Sequence, residues 1–348
     1  MDTFLLLAIF IIIIKQGGHG HMERPPPLIL DKIDRDILAI LARDCRTSYS
    51  NISSQIGLTP KAVKARVKNM VQSGIIKKFV VRVNPAAFGY KMVTALIRTT
   101  NEITKDEVIQ RVRKFGNLAH HVHQVGRTTV AALVINESCE DVDSFTQSLS
   151  DCIKPATIST IVVSHVPVSV NPSETDLRII RCLLQAGARV DISELAKQVG
   201  ISEKTATRRL NRMKGGRLLD FSLQCDPAAM VGYVQYCILI MITSKSYTQS
   251  VYERMYSEFQ KNILYHPSVT EPDDRLAFVL FGENTSQVDS VLAKVDSFEG
   301  VKMADAFIVT KVQYYDDWVI REIDKRLSPT IMMPVEHKSI KVANTLSE

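Results

Sequence analysis

Six cysteines are present, Cys45, Cys139, Cys152, Cys182, Cys225 and Cys237, but no CxxC pair occurs among them. That spacing argues against a zinc ribbon, a redox dithiol or a disulfide framework and fits a reducing, cytoplasmic setting. Long apolar runs are also lacking. The run Phe4 to Ile14 covers 11 residues, well short of the ~20 that cross a bilayer. Asp2 stands where a signal peptide would carry a basic residue, and Gln16 to His21 contains no small-x-small cleavage site. No membrane partner is expected. Residues 1–27 are left unassigned, with Met22 as the true initiator or a poorly ordered tail as the two expectations. There is no nucleotide-binding glycine loop and no nucleophile motif, so no cofactor and no catalytic residue is called.

What is present is enough apolar matter for packed cores, 45% hydrophobic against 23% charged in 348 residues, a globular composition spread over two to four domains. A net charge of +6 is modest for this length. A nucleic-acid reading must therefore rest on where the positive charge sits.

The chain repeats itself after about 143 residues. Asn84-Pro85-Ala86-Ala87-Phe88-Gly89-Tyr90 returns as Asp226-Pro227-Ala228-Ala229-Met230-Val231-Gly232-Tyr233, and Gln55-Ile56-Gly57-Leu58-Thr59 as Gln198-Val199-Gly200-Ile201-Ser202. In the same register Arg46 falls on Arg189, Arg66 on Arg209 and Met70 on Met213. A period this long is a domain pair copied once. The expected division is 28–84 and 168–226 as helix-turn-helix units, 85–167 and 227–318 as α/β units, and 319–348 as a tail, helical no further than Arg326.

Asp31 to Ala42 carries the stripe Ile33, Ile37, Leu38, Ile40 and Leu41, a helical face, and Ser50 to Ile56 a shorter one that Gly57 ends. Thr59 is an N-cap candidate with Pro60 at the first helical position. Val63, Val67 and Met70 then face inward while Lys61, Lys64, Ala65 and Lys68 face out. Ile75 to Val83 alternates and reads as a short hairpin or wing. From Thr59 to Arg82 there are seven basic residues, Lys61, Lys64, Arg66, Lys68, Lys77, Lys78 and Arg82, and no acid. The second copy sets Lys204, Arg208, Arg209, Arg212, Lys214 and Arg217 against the single Glu203, behind the cap Ser202. A one-signed face repeated after two capped helix-turn-helix patterns is a phosphate-binding footprint, and double-stranded DNA is the partner it implies. Thr59, Lys61, Ala62 and Lys64, with Ser202, Lys204, Thr205 and Arg208, are placed for base readout at the start of each second helix. Arg66, Lys68, Lys77 and Arg209 are placed for phosphates or local carboxylates, and Arg212 counts with the DNA-binding residues. For the equivalent Arg66 and Arg209, an ion pair to the first helix is the competing role.

The second half of each repeat reads βαββαβ: Met92–Arg98, Lys105–Phe115, Ala119–Val125, Thr129–Ile135, Asp141–Leu149 and Thr157–His165, then Tyr236–Ile242, Ser250–Gln260, Ile263–Val269, Leu276–Phe281, Ser286–Val295 and Val301–Val312. This predicts a ferredoxin-like α+β domain, a four-stranded antiparallel sheet with both helices on one face. The other face needs a partner, either the second copy or another chain.

With these parts in place the chain resembles the leucine-responsive regulator and asparagine-synthetase regulator (Lrp/AsnC) family over residues 28–318. The residues that carry the resemblance are Leu30-Asp31-x-x-Asp34-x-x-Ile37-Leu38, Arg46, Gly57-Leu58-Thr59, Arg66-Val67, Gly74-Ile75-Ile76 and Asn84-Pro85 to Gly89-Tyr90. The resemblance implies a transcriptional regulator, of archaeal type, that assembles through its α/β domains. Members usually carry one copy, so the tandem form looks like a covalently linked pseudo-dimer with two unlike heads and an asymmetric operator. It also implies a small-molecule site, often for an amino acid, at the loop between the second and third strands. Gly126, Arg127 and Thr128 occupy that loop in the first copy and Asp273 and Asp274 in the second; neither loop matches the family pattern in full.

Two other readings use the same architecture. Sirohaem decarboxylases resemble this family in fold, and His120, His121, His123 and His165 are the residues that would serve an enzyme of that kind as proton donors or charge partners. A metal site on these histidines lacks a cysteine or carboxylate placed to complete a tetrahedral set. An architectural DNA-binding protein of low specificity is the alternative to a site-specific regulator.

Overall fold

The structure is a computed structural model that describes residues 28–136, 142–164, 167–265, 268–269 and 274–327. The first head consists of α1 (Lys32–Arg43), α2 (Tyr49–Ile56) and α3 (Pro60–Gln72), and then one strand, β1 (Ile76–Val83). Asp31 caps α1 and forms a reciprocal capping box with Asp34. Gly57 closes α2 with φ 72°, and Gly200 closes the corresponding helix of the second head with φ 75°. At both sites the left-handed backbone that makes the turn favours a residue without Cβ. Ile37, Leu38, Leu41, Ile52, Val63 and Met70 are fully buried, each contributing about 1.5–3 kcal/mol of burial.

After a 3-10 turn at Pro85–Phe88 come β2 (Tyr90–Arg98), α4 (Lys105–Phe115), β3 (Asn117–Gln124), β4 (Thr128–Asn136), α5 (Val142–Ile153) and β5 (Thr157–Ser164). The second head is α6 (Glu174–Ala186), α7 (Ile192–Val199), α8 (Glu203–Gly215) and β6 (Leu219–Cys225). Its α/β partner comprises β7 (Val234–Ile242), α9 (Thr248–Phe259), β8 (Ser268–Val269), β9 (Arg275–Gly282), α10 (Thr285–Asp296) and β10 (Val301–Tyr314). The last helix is α11 (Asp317–Leu327).

The two ferredoxin-like halves join edge to edge in one eight-stranded sheet, β5-β2-β4-β3-β10-β7-β9-β8. The seam is antiparallel, with Val312 opposite Val122 and Tyr314 opposite His120. Strand alternation sends Ala95, Ile97, Ala131 and Leu133 toward α4 and α5, and Ile238, Ile240, Leu276 and Phe278 toward α9 and α10. The opposite faces of both halves border a shared cavity. The uncovered faces thus meet their partners within one chain.

Two expectations are corrected. No hairpin forms within either head: β1 pairs antiparallel with β6 of the other head, Phe79 opposite Leu223 and Val81 opposite Phe221. Each wing strand therefore completes the core of the opposite head. Leu223 and Cys225 pack with α1 to α3, while Val81 and Val83 pack with α6 to α8. The proposed tail beginning at 319 is also shortened. Trp318, Val319 and Ile323 of α11 are buried against Phe88 and the second head, with the Trp318 ring edge-on to Phe88 at 6.2 Å. Residues 328–348 lie outside the described residues.

Candidate nucleic-acid interface

Each recognition helix starts from a hydroxyl cap. Thr59 Oγ1 accepts the Ala62 N–H at 3.2 Å, and Ser202 Oγ accepts that of Thr205 at 3.2 Å. Both caps are exposed at the start of their helices, α3 and α8, and each hydroxyl is committed in part to its own helix. Beyond the caps Lys61, Lys64 and Lys68 on α3, and Lys204 and Arg208 on α8, are exposed and form no ion pair with another described residue. Thr205 is half-buried and within 2.9 Å of the Ser202 hydroxyl.

The other basic candidates each have a carboxylate partner, Arg66 and Arg209 half-buried and Arg212 and Lys77 exposed. Arg66 Nη1 contacts Asp34 at 2.7 Å and Asp31 at 2.9 Å, and the equivalent Arg209 Nη1 contacts Asp176 at 3.0 Å and Ser173 Oγ at 2.9 Å. Arg212 joins the same Asp176, whose side chain is fully buried. Burial opposes ionisation of Asp176, but the Ser173 hydrogen bonds and the two guanidiniums outweigh it and hold the carboxyl below the usual carboxylate range. These arginines tie the recognition helix to the cap of the first helix in both heads. Lys77 is paired with Asp226 at 2.8 Å. Nine cationic candidates are thereby divided into five open ones and four that already have a carboxylate.

The heads are locked together by a pair of reciprocal contacts. Arg46 Nη1 donates to the carbonyls of Ala188 and Val190 at 2.7 and 3.1 Å, and Arg189 Nη1 returns the contact to Cys45 and to Thr47, the latter at 3.3 Å. Because Arg46 and Arg189 are equivalent positions, the interface has local two-fold character. Their equivalence was legible in the repeat, whereas their role as a clasp was not, since an arginine flanking a helix carries no mark of its acceptor.

The remaining predicted site residues lie elsewhere. Gly126 and Arg127 are exposed in the β3–β4 turn, where Lys105 Nζ donates to the Gly126 carbonyl at 3.1 Å and Arg127 donates to Asn101; Thr128 opens β4. The Asp274 carbonyl accepts the Ile242 N–H at 2.8 Å, and Asp273 lies outside the described residues. His121 and His123 point to the helix side of the sheet. Tyr315 Oη lies 3.0 Å from His121 Nδ1, and His123 lies 2.8 Å from Thr129 Oγ1 and 3.2 Å from Asp106. His120 faces the cavity, and His165 is outside the described residues. Among the described residues no three His, Cys, Asp or Glu side chains are grouped to hold a metal ion, and no helix is long and apolar enough to cross a membrane.

Comparison with known proteins adds to this geometry. Residues 30–77 match the winged helix-turn-helix DNA-binding family and residues 173–214 the AsnC-type helix-turn-helix domain. An HTH-type transcriptional regulator LrpA of Pyrococcus horikoshii is 30% identical over 114 residues, 33% of this chain and 81% of the relative. The chain belongs to the Lrp/AsnC family of helix-turn-helix transcriptional regulators. An uncharacterized HTH-type regulator of the same organism is 38% identical over 86 residues, so the chain spans about half (54%) of that relative and 25% of its own length is matched. Among solved structures, E. coli AsnC superposes with a TM-score of 0.29 at 23% identity, covering 42% of this chain and 96% of that one. The siroheme decarboxylase NirDL superposes with a TM-score of 0.47 at 15% identity, covering 85% of this chain and 99% of that one.

Proposed function

We propose that this Lrp/AsnC-family chain is a site-specific regulator that grips double-stranded DNA with two unlike heads, α3 and α8, held at a fixed spacing by the β1–β6 ribbon and the Arg46/Arg189 clasp. The observation that carries the reading is the recurrence, in both heads, of a capped helix whose open face is basic while its inward arginine is spent on the first helix. Lys61, Lys64, Lys204 and Arg208 read or steer at the groove, Thr59, Ser202 and Thr205 stand at the helix starts, and Lys68 meets phosphate. Arg66, Arg209, Arg212 and Lys77 support the heads through their carboxylates and contribute less to the DNA itself. A cytoplasmic setting, further assembly of chains through the α/β domains and control by a small-molecule effector complete the proposal. Among the described residues, strands β5 and β8 end the sheet, and an edge strand is the kind of element such assembly uses.

The test is genome-wide binding of the tagged full chain, and then gel-shift titration of recovered fragments with a Lys64→Ala/Arg208→Ala variant. Sharp peaks sharing an uneven two-part motif, lost in a variant of unchanged melting temperature, support site-specific regulation. Broad enrichment with little sequence discrimination points to the architectural reading instead.

A further inference from the structure

A cavity of about 380 Å³ lies between the open faces of the two half-sheets, with the first head's wing strand over it. Met92, Leu96 and Val122 line it from the first half, and Leu239, Val279 and Phe307 from the second. This volume is within the range of small-molecule sites, roughly 300–1,000 Å³. Its wall is apolar, but Gln124 and Gln235 also face it, 4% and 3% exposed, and the side-chain carbonyl oxygen of each is buried without a hydrogen-bond partner. Other buried polar atoms also lack a partner, Gln224 Oε1 and Tyr236 Oη among them, but these two acceptors belong to side chains that border one cavity, and leaving them open is costly unless something donates to them.

The charges at this site are already matched. Arg82 reaches the cavity from β1 and is paired with Asp220, while Asp316 is paired with Lys78 at 3.5 Å. Among the described residues no lysine lines the space. His120 also lines the space, but burial, with Arg82 nearby, pushes its pKa down to about 4 and leaves it neutral; a carboxylate or ammonium ligand would therefore enter without a charged partner in place, at a steep desolvation cost. The occupant that fits has an apolar body and one or two N–H or O–H donors.

The strand above the cavity is also the element that joins the heads. Val80, Val81, Arg82 and Val83 of β1 line it, and the same residues pair with β6. The ribbon is fastened to the sheet by Gln224 Nε2 donating to the Val312 carbonyl at 2.9 Å and by Tyr265 Oη donating to Leu223 at 3.2 Å. A molecule wedged between sheet and ribbon acts directly on the piece that sets the spacing of α3 and α8.

We propose that this inter-sheet cavity is an effector site for a small, uncharged, mostly apolar hydrogen-bond donor, held by Gln124 and Gln235, whose occupancy is transmitted to the heads through the β1–β6 ribbon. The site is distinct from the β3–β4 loop, since Gly126, Arg127, Thr128 and Asp274 do not line it. The transmission half rests on the DNA-binding reading above; the binding half does not.

Calorimetric titration of the full chain with indole, and with its isostere indene that lacks the N–H, tests the binding half. Indole is expected to bind saturably and at least about tenfold more tightly than indene, with the difference abolished in Gln124→Leu/Gln235→Leu. Leu239→Trp, which fills the space, should abolish binding of both, and free leucine should not compete. No saturable uptake of indole, equal affinity for indole and indene on the wild-type chain, or displacement by leucine overturns the assignment. For transmission, saturating indole should change the gel-shift Kd for a recovered fragment by threefold or more, and not in Leu239→Trp. A bound fragment indifferent to indole overturns the coupling alone, whereas failure to recover any fragment strikes the DNA reading and leaves the calorimetry standing.

Discussion

The division of the basic residues can be weighed by salt. Each phosphate neutralised by the protein releases condensed counterion, so the logarithm of the binding constant falls with the logarithm of salt at a slope near −0.9 per contact. If the contacts are the five open cations, Lys61, Lys64, Lys68, Lys204 and Arg208, the slope is about −4.5, and affinity drops about 500-fold between 50 and 200 mM salt. If Arg66, Arg209, Arg212 and Lys77 also leave their carboxylates for DNA, the slope steepens to about −8 and the same change of salt costs nearly 10⁵-fold. The assay is fluorescence anisotropy of one labelled fragment at five salt concentrations. Replacing Lys64 by alanine should flatten the slope by about one, while Arg66→Ala should leave it within error and lower the unfolding midpoint instead. A wild-type slope near −8, or a slope that responds to Arg66→Ala as it does to Lys64→Ala, would refute the assignment of the carboxylate-paired arginines to structure.

Other expectations concern the fold. Asp176→Ala should destabilise the protein by about 3 kcal/mol, because it strands Arg209 and Arg212 beside a lost cap, and urea denaturation measures it; a change under 1 kcal/mol would show that the guanidiniums simply turn to water. Trp318→Ala should cost about 3–5 kcal/mol through the void left against Phe88 and should loosen α11, seen as new amide exchange over 317–327. Acidification should act through His121, whose burial, with His123 nearby, holds its folded pKa at about 3 against an ordinary value of 6.5. The depressed value means that the contribution is present above pH 6.5 and lost as pH falls from there toward 3, by up to about 1.4 kcal/mol per unit. His121→Phe should therefore lose less stability between pH 7 and 5 than the wild type, and an identical decline in both proteins would count against this origin.

How far the sequence carried depends on whether a signal is local. Caps are local: Asp31, Thr59, Ser173 and Ser202 announce themselves by residue type and by the helix-forming residues of the next turn. Alternation is local too, and it separates the helix-facing Ala95 and Ile97 from the cavity-facing Thr94 and Leu96. Strand partners are not. Ile76 to Val83 has the pattern of a paired strand, but nothing within it distinguishes a neighbour eight residues away from Leu219 to Cys225 in the other copy. Gln124 and Gln235 were overlooked for a related reason. A glutamine in a strand reads as a surface residue until the face it shares is known to be enclosed. In the segment after residue 316 the apolar Trp318, Val319 and Ile323 stand among charged neighbours, two of which, Glu322 and Arg326, themselves reach Tyr90 and Phe88.

The reciprocal contact of Arg46 and Arg189 has a consequence for the DNA as well as for the fold. A reader made of two identical subunits looks the same from either end of its site and cannot tell upstream from downstream. Here the two ends are covalently fixed and chemically different, lysine-rich on α3 and arginine-bearing on α8. Dilution does not separate them, because the second head is always supplied by the same chain. Bound to a site that distinguishes the two heads, the molecule has a front and a back, and everything it presents to its surroundings, including the outer strands β5 and β8, would point one way along the duplex.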